Sequence, residues 1–335
     1  MKLLFIGGTG LISSACSDLA VARGHELFIL NRSASTKYPL PDRATLLQAD
    51  IHADEARLAS LLAGHRFDAV ADFLAFTTKD IERDIHLFAD RTGQFVFISS
   101  ASAYQKPPKH YLITEETPLE NPFWQYSRDK IACEERLMNA YRNNGFPVTI
   151  IRPSLTYGPS QIPILGARWL HPYTLVDRIK RGKKVIVPGD GNSLWVLTWN
   201  ADSAKGFIGL LGNPKAIGEA FHITSDEVLT WNQIFLELYR ALNVESNLIH
   251  IPSDLIVAYD PDKLGTLIGD KINSAVFDNS KIKKFVGDFN CEVNWAEGVR
   301  RSLAWFESHP QFQTIDEGMN AMWDRIISAY EKSFP

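Results

Sequence analysis

The sequence predicts an α/β protein: a doubly wound parallel sheet with a smaller, interleaved C-terminal lobe. Three observations carry that reading. The first residues, Lys2-Leu3-Leu4-Phe5-Ile6, form a short apolar run that ends in the glycine-rich turn Gly7-Gly8-Thr9-Gly10, with a helical stretch through Ala15, Leu19 and Ala22 behind it. Strand-like runs then alternate with helical stretches as far as Arg152, the last being Pro147-Val148-Thr149-Ile150-Ile151. Beyond Pro153 the pattern loosens into Pro- and Gly-rich loops and separate helices. Residues 1–152 are expected to form the sheet domain and 153–335 mainly the lobe. Two later runs, Lys184-Val185-Ile186-Val187 and Ala220-Phe221-His222-Ile223, are expected to return to the main sheet.

Taken in order, the opening strand runs straight into Gly7-Gly8-Thr9-Gly10-Leu11-Ile12-Ser13. The helix stops at Gly24, and a second strand, Glu26-Leu27-Phe28-Ile29-Leu30, ends at Asn31-Arg32. Strand, glycine turn, helix and strand are the context of a dinucleotide-binding fingerprint. Glycines let the backbone approach a pyrophosphate, and the helix start offers free N–H groups and the positive end of its dipole. Gly7, Thr9, Gly10, Leu11 and Ile12 are the expected contacts. Thr45-Leu46-Leu47-Gln48-Ala49 reads as a third strand, followed by Asp50-Ile51. Asp72-Phe73-Leu74-Ala75-Phe76 ends a fourth, and Phe95-Val96-Phe97-Ile98 leads into Ser99-Ser100-Ala101-Ser102-Ala103-Tyr104.

The next chemistry-bearing pair is Tyr126 and Lys130, in Tyr126-Ser127-Arg128-Asp129-Lys130. Four residues apart on a helix, they share a face. A neighbouring ammonium stabilises phenolate and lowers a tyrosine pKa, which suits a group that takes or gives the proton of a carbinol.

Ser100, Tyr126 and Lys130, in this order after an N-terminal glycine fingerprint, resemble the extended short-chain dehydrogenase/reductase family, the NAD-dependent epimerases and dehydratases. The resemblance covers nearly the whole chain. It extends to Thr114-Glu115-Glu116-Thr117-Pro118, Ile151-Arg152-Pro153 with Tyr157-Gly158-Pro159, Gly189-Asp190-Gly191, and Glu297-Gly298-Val299-Arg300-Arg301. It implies a Rossmann domain that binds NAD(P). It implies Tyr126 as the catalytic acid/base, Lys130 as the residue that holds the nicotinamide ribose and depresses the Tyr126 pKa, and Ser100 as the hydrogen-bond partner of the reacting oxygen. Ser99 and Ser102 compete for the serine role, and register against Tyr104 favours Ser100. By the same resemblance Asp50 and Ile51 contact adenine, Leu74 and Ala75 meet the cofactor through their backbone, and Pro153 completes the cofactor set. Ser102, Tyr157, Arg178 and Trp195 are the expected substrate contacts. Members often dimerise through the Tyr126 helix and the one before it, so a homodimer is expected.

Departures from the family pattern refine the expectation. The last glycine of the fingerprint is Ser13, which implies looser helix–strand packing. The second strand ends in Asn31-Arg32 where an acid would accept the ribose 2′-hydroxyl of NAD; an arginine there pairs a 2′-phosphate and tilts the reading toward NADP. Ala101 and Ser102 stand where dehydratases carry acids, which disfavours dehydration and the decarboxylation that relies on a glutamate there. Leu194-Trp195 stands where nucleotide-sugar enzymes place an arginine for the diphosphate, with Arg178, Arg181 and Lys183 as substitutes. Trp195 and Trp199 are candidates to wall a sugar pocket, one of them being core.

The chain has 335 residues and a net charge of −4, ample for one α/β domain and a lobe. No apolar run is long enough to span a membrane and no leader precedes the first strand, so a cytoplasmic location is expected. Cys16, Cys133 and Cys291 are scattered and read as free thiols, and no metal site is expected. Glu134 reads as a surface partner of Lys130. The basic runs Arg178-Ile179-Lys180-Arg181-Gly182-Lys183-Lys184 and Lys281-Ile282-Lys283-Lys284 read as solvated faces, so no nucleic acid is expected. An apolar stripe of Met319, Met322, Trp323, Ile326 and Ile327 marks a last helix, from Thr314 to Tyr330, that packs on its own lobe. Loops 105–111 and 161–173 shape the pocket. The reading that results is an NAD(P)-dependent sugar-type epimerase or oxidoreductase acting on a secondary alcohol or ketone, with a sugar-like substrate that need not be a nucleotide sugar. The alternative is a non-catalytic relative that binds RNA or senses the cofactor.

Overall fold

The computed structural model describes residues 1–33, 37–52, 55–163, 165 and 169–333. In chain order the first half contains β1 (Lys2–Ile6), α1 (Leu11–Ala22), β2 (Glu26–Asn31), β3 (Thr45–Gln48), α2 (Glu55–Leu61), β4 (Ala69–Asp72), α3 (Thr78–Phe88), β5 (Phe95–Ile98), β6 (Leu112–Ile113), α4 (Gln125–Asn144) and β7 (Val148–Pro153). The second half contains β8 (Leu155–Tyr157), α5 (Thr174–Lys180), β9 (Val185–Pro188), β10 (Leu194–Trp199), α6 (Asn200–Leu210), β11 (Ala220–Ile223), β12 (Val228–Thr230), α7 (Trp231–Leu242), β13 (Leu248–Ile251) and α8 (Ser253–Tyr259). The short α9 (Leu264–Thr266) runs into a π-helical turn at Leu267–Lys271, and β14 (Val276–Phe277), α10 (Ser280–Phe285), α11 (Trp295–Ser308) and α12 (Glu317–Lys332) follow.

The main sheet has the order β11-β7-β5-β4-β1-β2-β3 and every pairing is parallel. Parallel strands covered on both faces are apolar at successive positions. Leu3, Leu4, Phe5 and Ile6 of β1 are all buried, and alternate residues feed two different cores. Leu4, Ile6, Val70, Phe97 and Ile150 face α2, α3 and α4, which contribute Leu58, Ile81, Phe88 and Leu137. Leu3, Phe5, Ala71, Val96 and Phe221 face α1, α6 and α10, which contribute Cys16, Ala20, Phe207 and Ile282. The strand order reverses between β1 and β4, and the crevice outside their carboxyl ends is where open α/β sheets hold ligands.

Ala220–Ile223 joins the main sheet beside β7. The run 184–187 does not. Its strand, β9, pairs in parallel with β13 in a separate two-stranded sheet of the lobe. Val185, Ile186 and Val187 are buried on both faces there, so their apolar pattern is satisfied without the main sheet. α12 packs on its own lobe through Met319, Trp323, Ile326 and Ile327. Its acids also pair with the basic run that reads in sequence as a solvated face: Arg178 and Lys183 with Asp324, Arg181 with Glu317, and Lys184 with Glu331.

Glu134 is likewise not a surface group. It is 3 % exposed and accepts two bonds from Arg152 Nε at 3.0 and 3.2 Å, one from Arg152 Nη2 at 2.6 Å and one from Ser99 Oγ at 2.5 Å. Arg152 Nη1 reaches Tyr104 Oη at 3.3 Å, and that hydroxyl meets His222 Nδ1 at 3.1 Å. The network joins α4 to β5, β7 and β11. Removing one partner of such a pair leaves a buried charge without compensation. Glu134→Ala is therefore expected to cost about 3–5 kcal/mol in urea unfolding, and Glu134→Leu combined with Arg152→Met to recover most of it. A loss under about 1 kcal/mol, the range of exposed pairs, would show that the pair is effectively solvated.

Candidate active site

The glycine turn packs closely against the turn that follows β4. Gly7 has φ +83°, and a Cβ there would lie 2.6 Å from Leu74 Cγ. Ser13, in place of the third glycine, does not loosen the packing. It is buried, donates from Oγ to Gly7 O at 2.7 Å and accepts Gly10 N–H at 2.8 Å, which ties the loop to the first turn of α1. Leu11 and Ile12 open α1, so their N–H groups lie beyond the reach of helix carbonyls and face the anion-binding end of the dipole. These residues fit a dinucleotide pyrophosphate.

At the end of β2, Asn31 Nδ2 donates to Thr9 Oγ1 at 3.1 Å. Arg32 is largely exposed and lies 3.8 Å from Asp50, which also accepts the His52 N–H at 2.9 Å. Ile51 is buried. At the end of β4, buried Asp72 accepts Leu74 N–H at 2.6 Å and pairs with Arg83 at 3.1 Å. This bond shapes the turn that carries Leu74 and Ala75.

Lys130 is buried on α4 and donates from Nζ to Ala75 O at 2.7 Å and Ile98 O at 2.8 Å. Its ammonium stands 5.8 Å from the Tyr126 ring centroid. Burial costs the charged form and lowers its pKa to about 8, against a partial rise from nearby acids, Asp72 among them.

Tyr126, Ser100, Ser102, Pro153 and Trp195 line one cavity of about 720 Å³ between the sheet's carboxyl edge and the lobe. The Ser100 hydroxyl stands close enough to the Tyr126 phenol to favour its phenolate form. Ser100 Oγ is 2.9 Å from Ser102 Oγ, which accepts from Ser127 Oγ at 2.8 Å. Asn121 Nδ2 completes the chain, reaching Ser127 Oγ at 3.3 Å, Ser102 O at 2.9 Å and Gly269 O of the π turn at 2.7 Å. Ser99 is taken up by Glu134, which leaves Ser100 and Ser102 at the cavity. The Tyr126 pKa is raised, not depressed. Burial raises it most, the nearby Ser100 hydroxyl lowers it and the Asp270 charge raises it further, while Lys130 donates to the Ala75 and Ile98 carbonyls.

Two expected substrate residues lie elsewhere. Tyr157 is fully buried against Trp199 and Trp295, and its hydroxyl abuts Gly298 so closely that a Cβ there would meet it at 1.8 Å. It is a core residue because β8 turns that face toward α11. Arg178 is 1 % exposed and bonds Lys184 O at 2.7 Å and Asp324 at 2.7 Å. Its partners on α12 draw it away from the cavity, and neither Arg181 nor Lys183 lines the cavity either. Of the two tryptophans, Trp195 lines the cavity and Trp199 packs on Tyr157. Sequence reasoning missed Lys106, Asn121, Trp124, Asp270 and Lys271, whose only signal is proximity across loops. Of loop 161–173, Ile164 and residues 166–168 lie outside the described residues.

A sequence model of the NAD dependent epimerase/dehydratase family matches residues 3–224. The chain belongs to that family. It is thus an NAD(P)-binding enzyme of the extended short-chain type. It is 26 % identical over 271 residues to the chloroplast stem-loop binding protein of 41 kDa b of Arabidopsis thaliana, covering 78 % of this chain and 66 % of that protein. It is 24 % identical over 334 residues to UDP-N-acetyl-alpha-D-glucosaminuronate decarboxylase of Bacillus cytotoxicus, covering 91 % and 97 %. The crystal structure of UDP-glucose 4-epimerase from Bifidobacterium longum in complex with NAD⁺ and UDP superposes with a TM-score of 0.74 at 18 % identity, over 93 % of this chain and 100 % of that one, which shows the shared fold. Among the described residues no helix is long and apolar enough to cross a membrane, and no cluster of His, Cys, Asp and Glu could hold a metal ion.

The Lys130 environment makes stability depend on pH in a defined direction. The folded protein releases this proton near 8, whereas an unperturbed lysine holds it to 10.5. Between those values the unfolded chain binds more protons, so this residue's contribution to stability rises with pH. The neutral amine keeps two N–H donors for Ala75 and Ile98. In cofactor-free protein, urea unfolding is expected to show wild type gaining on Lys130→Met from about pH 7.5 to about pH 10; a gap that stays constant would contradict the lowered pKa.

Proposed function

We propose that this protein is an NAD(P)-dependent epimerase or oxidoreductase that acts on a secondary alcohol or ketone of a sugar-like substrate, with Tyr126 as acid/base. The convergence of Ser100, Tyr126 and Lys130 at the carboxyl edge of the sheet, with the first two on a cavity of substrate size, carries this reading. NAD(P), held by Gly7, Thr9, Gly10, Leu11, Ile12, Asn31, Arg32, Asp50, Ile51, Leu74, Ala75, Lys130 and Pro153, supplies the hydride chemistry when bound. Ser100 donates to or accepts from the reacting oxygen, and the Ser102–Ser127–Asn121 chain fixes its orientation. A phenol with a raised pKa is protonated at neutral pH and is ready to donate to a carbonyl oxygen. Little of it is in the phenolate form that takes a proton, so alcohol oxidation gains as pH rises.

Tyr126→Phe is expected to lower turnover about 10²–10⁴-fold while leaving NAD affinity nearly unchanged. Steady-state NAD(P)H formation and epimer analysis of the product with a panel of sugars and sugar nucleotides, paired with a cofactor titration, read both quantities. Full turnover in the variant would remove Tyr126 from the chemistry.

Arg32 stands exposed at the end of β2, without a carboxylate on Asn31, which supports NADP over NAD. Arg32→Ala is expected to weaken NADP about tenfold or more, the value of a charge-assisted contact, and to leave NAD unaffected. Equal losses for both cofactors would mean that Arg32 does not read the 2′-phosphate. Arg178, Arg181 and Lys183 do not line the cavity, so none of them replaces the diphosphate-binding arginine of nucleotide-sugar enzymes, and the substrate we propose need not be a nucleotide sugar. Location in the cytoplasm and a homodimer through α3 and α4 belong to the same proposal.

The likeness to a chloroplast stem-loop binding protein favours a second reading, RNA binding. Pairing of the basic run 178–184 with acids of α12 speaks against it. A salt-dependent gel shift with structured RNA separates the two.

A further inference from the structure

Lys106, Asp270 and Lys271 form a charged cluster on the wall of the cavity. Lys106 Nζ lies 3.3 Å from one Asp270 carboxylate oxygen, and Lys271 Nζ lies 3.0 Å from the other. The Lys106 side chain is 1 % exposed, Asp270 9 % and Lys271 17 %. Two ammonium groups share one carboxylate. Among the described residues Lys106 Nζ makes that ion pair and no hydrogen bond, although an ammonium has three donors. A buried ammonium without full compensation is costly, and a group that brings negative charge relieves it.

The cluster is also held in register with the phenol. Asp270 and Lys271 sit in the π-helical turn, a distortion that recurs at functional sites. Asn121 bonds Gly269 O in that turn and, through Ser127 and Ser102, connects to Ser100. Lys271 Nζ is 5.8 Å from the Trp124 ring and 5.6 Å from the Trp195 ring, and Trp124 is 5.0 Å from the Tyr126 ring. An indole face beside an ammonium suits a ring with an apolar face and an anionic substituent.

We propose that Lys106 and Lys271, spaced by Asp270, form an anion subsite that takes a carboxylate or phosphate group carried on the substrate's ring, with the ring's apolar face against Trp124 or Trp195. The subsite rests on the reading of this cavity as the substrate site. Asp270 holds the two ammonium groups together before substrate arrives and competes with the incoming anion. Its removal therefore strengthens anion binding, whereas removal of either lysine weakens it. A purely structural ion-pair cluster would not show opposite signs.

The test is calorimetric titration of the NAD-bound protein with D-glucuronate, D-glucose 6-phosphate and D-glucose. At least one of the two anions is expected to bind about tenfold or more tighter than glucose, and the better one identifies carboxylate or phosphate. Lys106→Met and Lys271→Met are each expected to bring that anion close to the glucose level, and Asp270→Asn to tighten it severalfold with glucose unchanged. Equal binding of all three sugars by the wild type overturns the proposal. So does an undiminished anion preference in either lysine variant, once far-UV circular dichroism and NAD binding show it to be folded; Lys271, the more exposed, serves where Lys106→Met does not fold. Tyr126→Phe keeps the anion preference whether or not it loses turnover, so failure of the subsite and failure of the acid/base reading give different results.

Discussion

Burial of two opposite charges on one face of α4 is the constraint from which the site follows. Lys130 and Glu134 lie one turn apart, and no direct salt bridge joins them. Lys130 reaches across to the carbonyls of Ala75, in the turn after β4, and Ile98, at the end of β5, and Glu134 to Arg152 of β7 and Ser99 after β5. Unpaired burial of either charge would be costly, so these bonds fix the rotation and height of the helix on the sheet. Tyr126, one turn before Lys130, is thereby delivered to the sheet's carboxyl edge, on the cavity that Ser100 and Pro153 also line.

The lobe is coupled to this edge through a second polar joint. Asn121 precedes α4 and bonds at once to the serine chain of the sheet domain and to the π turn of the lobe. The cavity therefore has one wall set by the sheet and another set by Asp270, Lys271 and Trp195. Under the proposed function, the wall from the sheet carries the proton-transfer groups and the wall from the lobe carries the groups that select the substrate. Site residues so divided fit the general pattern in which a fold supplies positions and loops supply specificity.

Much of the sheet domain was legible in the chain because its signals are local. A strand that runs into Gly7-Gly8-Thr9-Gly10, and a Tyr–Lys pair at helical spacing, each announce their own geometry. Glu134 shows where local reasoning stops: a charge four residues after a lysine looks like a surface pair, and only Arg152, distant in sequence, turns it into a buried one. Tyr157 and Arg178 show the same limit in reverse. Each has a residue type suited to a pocket, and each is claimed by a remote partner, Gly298 packing against one and Asp324 binding the other. The strand at 184–187 was legible as a strand, but its apolar pattern is equally satisfied by β13.

The sequence by itself determined the doubly wound sheet, the dinucleotide turn and the order of Ser100, Tyr126 and Lys130, since period, glycine placement and spacing along one helix act over a few residues. The tertiary structure alone decided which charges are buried, that Tyr126 has a raised pKa, and that Lys106, Trp124, Trp195, Asp270 and Lys271 share a wall. Those facts depend on desolvation and on contacts between segments far apart in the chain, which no local pattern encodes.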